Sequence, residues 1–190
     1  MNEISHYWRV TASGKAFDFV NPKPDMIDAQ TITDHLTFTC RWGGNVETFY
    51  SVAQHSIIVA DAIKRPDWRI YGLLHDAAKA YIGDLPAPFE GWLAFSGTDI
   101  HGLERRIMNC VWKSFELPKP DKDIATAVDI ADARALATEY RDIVKGRSAL
   151  WSPPGKPLPH QIRAKPWPDV ADSFSQKLIE YLHLAKQAAA

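Results

Sequence analysis

The chain has 190 residues, 46% of them hydrophobic, which is enough for one domain with a core that stabilises itself. Its 22 Lys and Arg residues nearly balance its 23 Asp and Glu residues. This balance excludes the strong overall charge that draws a protein onto nucleic acids or anionic membranes, so an anionic ligand must be met by a local site.

The cysteine content and the N-terminus both point to a soluble cytoplasmic protein. Cys40 and Cys110 have no CxxC partner, which favours reduced thiols that fill the core. The first ten residues carry charged and aromatic side chains instead of the apolar run of a signal peptide. No segment approaches the roughly 20 apolar residues of a membrane-spanning helix. We therefore expect neither nucleic acid nor a membrane as a partner.

Hydrophobic periodicity predicts an all-α protein with a short hairpin or extended arm at its N-terminus. The arm covers residues 7–24 around the turn signal Ser13-Gly14. Ser51 and Gln54 form a capping-box pattern that begins a helix with His55 in its first turn. The predicted helices cover about 27–39, 51–64, 99–115, 121–144 and 169–185. A further predicted helix begins at residue 66 and ends at a Gly/Pro-rich break at 83–88.

The second half of the chain contains a Pro-rich segment at 146–168. Six prolines favour an extended strap on the surface over a helix there. We expect a single domain over 1–190, with its core at about 27–145 and with the strap and a last helix at 146–190.

Four side chains on three predicted helices suggest a metal site. The adjacent His75 and Asp76 alone mean little, because such a pair is common. However, His55 and Asp132 both lie among apolar residues, where an imidazole or a carboxylate needs a partner. A mixed nitrogen and oxygen site suits Mn²⁺, Fe²⁺, Co²⁺ or Zn²⁺. Asp129, one turn before Asp132, is an equally good fourth ligand by spacing.

These motifs resemble the HD superfamily of metal-dependent phosphohydrolases. The resemblance rests on SVAQHS at 51–56, LLHDAA at 73–78, GDLP at 83–86 and IADARAL at 130–136. Within the superfamily it is nearest to bacterial 5′-deoxynucleotidases and to phage enzymes that convert dATP to deoxyadenosine and triphosphate. It implies an HD helical bundle, a homo-oligomer, a small nucleotide substrate and one divalent ion.

The resemblance also implies roles for individual residues. It assigns the ion to His55, His75, Asp76 and Asp132, and thereby favours Asp132 over Asp129. It assigns Arg41 and Trp42 to the phosphate and sugar of the nucleotide. The alternatives from the residues alone are a solvated loop arginine and a core tryptophan.

Asp84 and Lys79 are the candidate catalytic residues. Asp84 would activate water or protonate the leaving oxygen, although it also fits a turn or cap. Lys79 stands where the family usually has a glutamate that positions the attacking water. It would instead grip phosphate, be neutral through burial, or mark a weakened enzyme.

The leading prediction is therefore hydrolysis of a deoxynucleoside 5′-monophosphate to a deoxynucleoside and phosphate. One alternative is a dNTP triphosphohydrolase of the dATP-hydrolysing type. Another is a metal- and nucleotide-binding module weakened by Lys79. A third alternative is a helical interaction protein whose His and Asp residues are satisfied internally.

Overall fold

Apolar residues at helical spacing form eight α-helices within residues 4–189, the part of the chain that this computed structural model describes. The helices are α1 (Ala29–Phe38), α2 (Val52–Ala62), α3 (Arg69–Leu74), α4 (Lys79–Ile82), α5 (Ala87–Phe95), α6 (Ile100–Ser114), α7 (Lys122–Asp142) and α8 (Trp167–Ala189). Short 3-10 turns lie at Pro24–Met26, Trp42–Gly44 and Pro66–Trp68. The prediction of a mainly helical protein is confirmed. None of these helices is both long and apolar enough to cross a membrane.

The N-terminal hairpin is also confirmed. Strands β1 (Trp8–Val10) and β2 (Ala16–Asp18) pair antiparallel, with Arg9 opposite Phe17. Phe17 is buried and stacks on Tyr81 of α4, with ring centroids 4.2 Å apart. The hairpin thereby packs against the helices near the candidate site.

Helix α2 lies at the centre of the fold and contacts α1, α3, α7 and α8. Side chains from β2 to α8 join one main hydrophobic cluster, so the core extends beyond 27–145 at both ends: it includes Phe17 as well as Val170, Phe174, Leu178 and Tyr181. This central position buries the first turn of α2, where His55 lies.

Two helix predictions are wrong in detail. The helix predicted from residue 66 onwards is interrupted, because α3 ends at Leu74 and α4 begins only at Lys79. Helix α5 lies partly within the stretch predicted to break, since its N-cap is Pro86 and Pro88 lies in its first turn. Proline is compatible with the first turn of a helix because the N–H groups there have no intrahelical acceptor.

The capping box at Ser51 is half confirmed. The Ser51 hydroxyl accepts a hydrogen bond from the Gln54 N–H, as predicted. The Gln54 side chain does not return the bond but reaches the Pro-rich segment, where it binds the Arg163 carbonyl and the Lys165 N–H. Residues 145–166 contain no helix or strand, in agreement with the predicted strap.

Candidate metal centre

The four predicted metal ligands come together at the meeting point of three segments. His55 lies in the first turn of α2, His75 and Asp76 lie between α3 and α4, and Asp132 lies in the middle of α7. The two Nε2 atoms of His55 and His75 are 3.3 Å apart. Asp76 Oδ2 lies 3.8 Å and 3.6 Å from these nitrogens, and Asp132 Oδ1 lies 3.0 Å and 3.9 Å from them.

The hydrogen bonds of the two imidazoles aim their Nε2 atoms at one point. His75 Nδ1 donates to the Gly72 carbonyl at 2.8 Å, and His55 Nδ1 donates to Glu139 Oε1 at 2.6 Å. Each Nδ1 therefore carries a proton, and the lone pair of each Nε2 could bind a metal ion. Two nitrogens and two carboxylates directed at one another require a shared cation, either a proton or a metal ion.

The electrostatics agree with that requirement. Burial alone would lower the pKa of His55, but the Glu139 and Asp132 carboxylates outweigh it and raise that pKa. Burial lowers the pKa of His75. Burial opposes the charged form of Asp132, yet a proton shared with His55 Nε2 when no metal is bound leaves the pKa of this carboxyl well below the usual range. The cluster thus holds ionised carboxylates beside imidazoles.

Asp132 and Asp129 are distinguished by where α7 places them. Asp132 contacts both imidazoles, although its side chain remains 41% exposed. Asp129 is exposed, and no ion pair joins it to the cluster within the described residues. His55, His75 and Asp76 offer ligand atoms that all lie within 4.8 Å of one another and could hold a metal ion, and Asp132 approaches both imidazoles from α7.

The interruption between α3 and α4 places His75 and Asp76 on the same side. The Lys79 N–H bonds to the Asp76 carbonyl and the Ala77 N–H to the Leu74 carbonyl, each at 2.9 Å. These are the i to i+3 bonds of a tighter 3-10 turn, a feature that often marks a functional position within a helix. The turn directs the adjacent imidazole and carboxylate to a common point.

Sequence reasoning missed Glu139, the most connected residue of the site. Its side chain is fully buried and accepts hydrogen bonds from four groups: Arg41 Nε, Trp42 Nε1, Tyr50 Oη and His55 Nδ1. Burial would raise the pKa of Glu139, but Arg41 and His55 lower it to about 2. The available signal was its position seven residues after Asp132, which puts both acids on one face of α7.

Arg41 and Trp42 occupy the loop between α1 and α2, beside the metal cluster. Arg41 Nε lies 3.2 Å from Glu139 Oε2, and Nη1 lies 3.4 Å from Asp76 Oδ2. Trp42 has a φ of 59°, a left-handed conformation that is rare for a large side chain and costs free energy. The bond from its indole N–H to Glu139 helps to hold it there.

Lys79 and Asp84 lie on the opposite side of Asp76 and are paired with each other. Lys79 Nζ is 2.7 Å from Asp84 Oδ1 and 3.1 Å from Asp76 Oδ2. Burial lowers the pKa of Lys79, but the two carboxylates more than compensate and raise it. The structure therefore contradicts a neutral lysine and shows an ammonium held between two acids.

A cavity of about 510 Å³ opens onto the cluster and has two chemically different ends. Its charged end contains Arg41, Asp76, Lys79, Asp84 and Asp132. Its apolar end contains Trp42, Leu85, Pro86, Leu136 and Trp151. A neighbouring cavity of about 460 Å³ reaches His75 and Asp76 from the side of α6, where His101, Glu104 and Arg105 line it. The cluster is thus accessible to small molecules from two directions.

Comparison with known proteins gives two relatives over most of the chain. No protein-family model matches it. The uncharacterized protein YfdR of Escherichia coli is 33% identical over 141 residues, which cover 74% of this chain and 75% of YfdR. This chain belongs to the YfdR family. A further relative, the uncharacterized protein RCAP_rcc00048 of Rhodobacter capsulatus, is 30% identical over 187 residues, 90% of this chain and 93% of its own length.

Membership in the YfdR family carries no activity with it, because both relatives are described as uncharacterized.

Proposed function

We propose that this protein is a metal-dependent phosphohydrolase that cleaves the 5′ phosphate ester of deoxynucleotides, in the manner of the HD superfamily that its motifs resemble. The observation that carries the proposal is the convergence of two imidazoles and two carboxylates at the charged end of a cavity large enough for a nucleotide. An interaction protein would satisfy these groups internally and would need no such cavity.

The donor set fits a divalent transition metal. Metal–ligand bonds of about 2.1 Å place neighbouring ligand atoms about 3.0–3.4 Å apart. The separations from Asp76 Oδ2 and Asp132 Oδ1 to the two Nε2 atoms, and between these nitrogens, run from 3.0 to 3.9 Å, so a small contraction suffices. His55, His75, Asp76 and Asp132 would hold the ion, and Glu139 would orient His55 from behind. When bound, the ion supplies an acidified water and withdraws charge from a phosphoryl oxygen.

Arg41 is the proposed phosphate-binding residue. Its guanidinium is anchored by Glu139 and lines the cavity beside the cluster. The two hydrogen bonds to protein use Nε and Nη1, so Nη2 is available for a phosphate oxygen. Because the Arg41 guanidinium is already held in position, binding the substrate costs less conformational entropy.

Asp84 and Lys79 are proposed to act on the reacting groups. Asp84 lies close enough to the cluster to take a proton from water or to give one to the leaving oxygen. Lys79 holds Asp84 in place and adds a positive charge beside the phosphate. This pair replaces the acidic residue that the superfamily usually has at the lysine position.

The charges in the cavity favour a monophosphate over a triphosphate. Arg41 and Lys79 are the cationic side chains among its described lining residues, against four acids, namely Asp76, Asp84, Glu90 and Asp132. A divalent ion brings this end close to neutrality, and a triphosphate chain would add more negative charge than the two cations can balance. We therefore place dNMP hydrolysis first and dNTP triphosphohydrolysis second.

A binding module without efficient turnover is the second candidate, and one observation favours it. Asp84, the proposed proton acceptor, is paired with the Lys79 ammonium, which also contacts Asp76 of the cluster. In that case nucleotide would bind without being consumed.

Product analysis tests these alternatives. The protein, loaded in turn with Mn²⁺, Co²⁺ or Zn²⁺, is incubated with dNMPs and dNTPs beside a His75→Ala control. The proposal predicts orthophosphate and deoxynucleoside from dNMPs. Intact triphosphate from a dNTP would establish the triphosphohydrolase instead. If neither product forms with any of the three metals, the enzymatic proposal is rejected.

A further inference from the structure

The Pro-rich strap, residues 145–166, is fixed along α7 by hydrogen bonds at several points. Thr138 Oγ1 accepts from the Leu158 N–H at 2.7 Å, and Asp142 Oδ2 accepts from the Ile162 N–H at 2.9 Å. Arg141 Nη1 donates to the Leu158 carbonyl at 3.0 Å. These bonds place the strap in one position, because backbone groups that are satisfied in this way resist displacement.

The far end of the strap is attached to the helix that carries the first metal ligand. Gln54, the neighbour of His55, donates to the Arg163 carbonyl at 2.7 Å and accepts from the Lys165 N–H at 3.0 Å. Leu158 and Ile162 of the strap are themselves buried. The segment is therefore an integral part of the site region.

One side chain of the strap, Trp151, reaches the apolar end of the large cavity. Its ring meets Tyr140 edge to face, with centroids 5.1 Å apart, and meets Trp42 at 6.2 Å. The Ser148 N–H donates to the Tyr140 hydroxyl at 3.0 Å, which holds the chain beside this aromatic group. Trp151 nevertheless remains 46% exposed, so part of its ring is free to meet a ligand.

We propose that Trp151 is the stacking surface for the nucleobase and that the strap exists at this site to supply it. This inference rests on the proposed function and adds the residue that recognises the base. A nucleotide has a charged phosphate at one end and a flat aromatic ring at the other, as the cavity has a charged end and an aromatic end. Trp42, at the apolar end and next in sequence to Arg41 of the charged end, lies beside the proposed position of the sugar.

The lining of the apolar end indicates how the base is recognised. The side chains of Leu85, Pro86 and Leu136 carry no polar group that could read the edge of a base, and the indole N–H of Trp42 already donates to Glu139. Recognition therefore uses the face of the ring, and an aromatic side chain offers such a face to any base. Tyr140 packs nearly perpendicular to Trp151 and so helps to fix the plane on which the base would stack.

The test compares two substrates that differ only in the base. dAMP and 2-deoxyribose 5-phosphate are given to the metal-loaded wild type, Trp151→Ala and Trp151→Phe. We expect Trp151→Ala to raise KM for dAMP about tenfold with kcat within about twofold, and Trp151→Phe to stay near wild type. The kinetics of 2-deoxyribose 5-phosphate should not change, because this substrate has no ring to stack.

A matched variant controls for general effects of removing an exposed indole. Trp167 is 51% exposed, lies just beyond the strap and packs on Phe38, away from the cavity lining. Trp167→Ala should leave both substrates unaffected. An unchanged KM for dAMP in Trp151→Ala would overturn the inference, and so would an equal loss for both substrates, which would indicate a purely structural role.

A binding measurement separates this inference from the proposed activity. Calorimetric titration of deoxyadenosine into the metal-loaded protein requires no turnover. We expect binding to wild type that weakens about tenfold in Trp151→Ala. If deoxyadenosine binds in this way but no phosphate is released from any substrate, the hydrolase proposal fails and the stacking site stands. If wild type binds no deoxyadenosine, the stacking site is refuted whatever the activity.

Discussion

At the scale of single residues, Glu139 connects the proposed metal ligands with Arg41, the proposed phosphate-binding residue. One carboxylate accepts from His55 on one oxygen and from Arg41 and Trp42 on the other. A residue behind a metal ligand orients its ring and raises its basicity. Glu139 is thus a positioning residue for both parts of the site.

Glu139→Gln should weaken metal affinity by about 10- to 100-fold, because the amide keeps the shape but loses the charge that supports His55. Competition titration against a chelating dye measures this affinity. Tyr50→Phe is the matched control, since it removes another hydrogen bond to Glu139 and leaves the His55 contact intact. It should cost about 1 kcal/mol of stability with little change in affinity. Equal affinities in wild type and Glu139→Gln would contradict the assignment.

Lys79 decides between the two candidate functions. If the protein is a hydrolase, Lys79→Met should lower kcat/KM at least about tenfold. Each 1.4 kcal/mol of lost transition-state stabilisation lowers kcat/KM about tenfold. Lys79→Glu should lower it further, because it adds a carboxylate beside Asp76 and Asp84. Steady-state phosphate release measures both variants. A rise in turnover for Lys79→Glu would instead support the weakened binding module.

At the scale of elements, the site depends on how closely α2 and α3 pack. Gly72 of α3 faces α2 so tightly that an added Cβ would lie 2.6 Å from Ile63 Cδ1 and 3.0 Å from Ala60 Cα. Its carbonyl also accepts the His75 Nδ1–H. A side chain at this position would force apart the two segments that carry His55 and His75.

Gly72→Ala should therefore destabilise the protein by about 1–3 kcal/mol. It should also weaken metal binding. Gly91→Ala in α5 is the control, because its added Cβ meets nothing within 4 Å. That change should stabilise by about 0.5–1 kcal/mol through helix propensity. Urea denaturation measures both variants, and a Gly72→Ala protein as stable as wild type would show that the contact is not tight.

The elements also show what local sequence patterns can predict. The N-caps Ser51, Asp99 and Asp121 begin their helices within a residue or two of the predicted starts. Such caps can be read from sequence because they satisfy nearby backbone donors. The Gln54 side chain could not be assigned, because its partners lie more than 100 residues away in the strap. The interruption at His75 was missed because its residues all have helical character.

At the scale of the whole molecule, the site is assembled from distant parts of the chain. His55, His75 and Asp132 were found from motif and resemblance, and the fold brings them together. The roles of Glu139 and Trp151 appear only when α7 and the strap are placed in three dimensions. The seven-residue spacing from Asp132 places Glu139 on the same face of α7, but its contacts with Arg41 and His55, and the position of Trp151, leave no local pattern in the sequence.

Since the ligands come from α2, α7 and the segment between α3 and α4, metal binding should stabilise the whole fold. At an ion concentration 100 times Kd the gain is about 2.7 kcal/mol, which corresponds to about 5–10 °C in Tm for a chain of this size. Differential scanning fluorimetry with Mn²⁺ and then with excess chelator measures the shift. A Tm that changes with neither addition would favour the alternative in which the His and Asp residues are satisfied internally and hold no metal.

The most direct test of the account is the number of metal ions bound per chain, measured by elemental analysis after equilibrium dialysis against Mn²⁺, Co²⁺ or Zn²⁺. Wild type, His75→Ala, Asp132→Ala and Asp129→Ala are compared. The account predicts one ion for wild type and for Asp129→Ala, whose carboxylate is exposed on the same helix, and a fraction of one for the other two. An absence of bound ion in wild type, or full occupancy in His75→Ala and Asp132→Ala, would contradict the proposed centre.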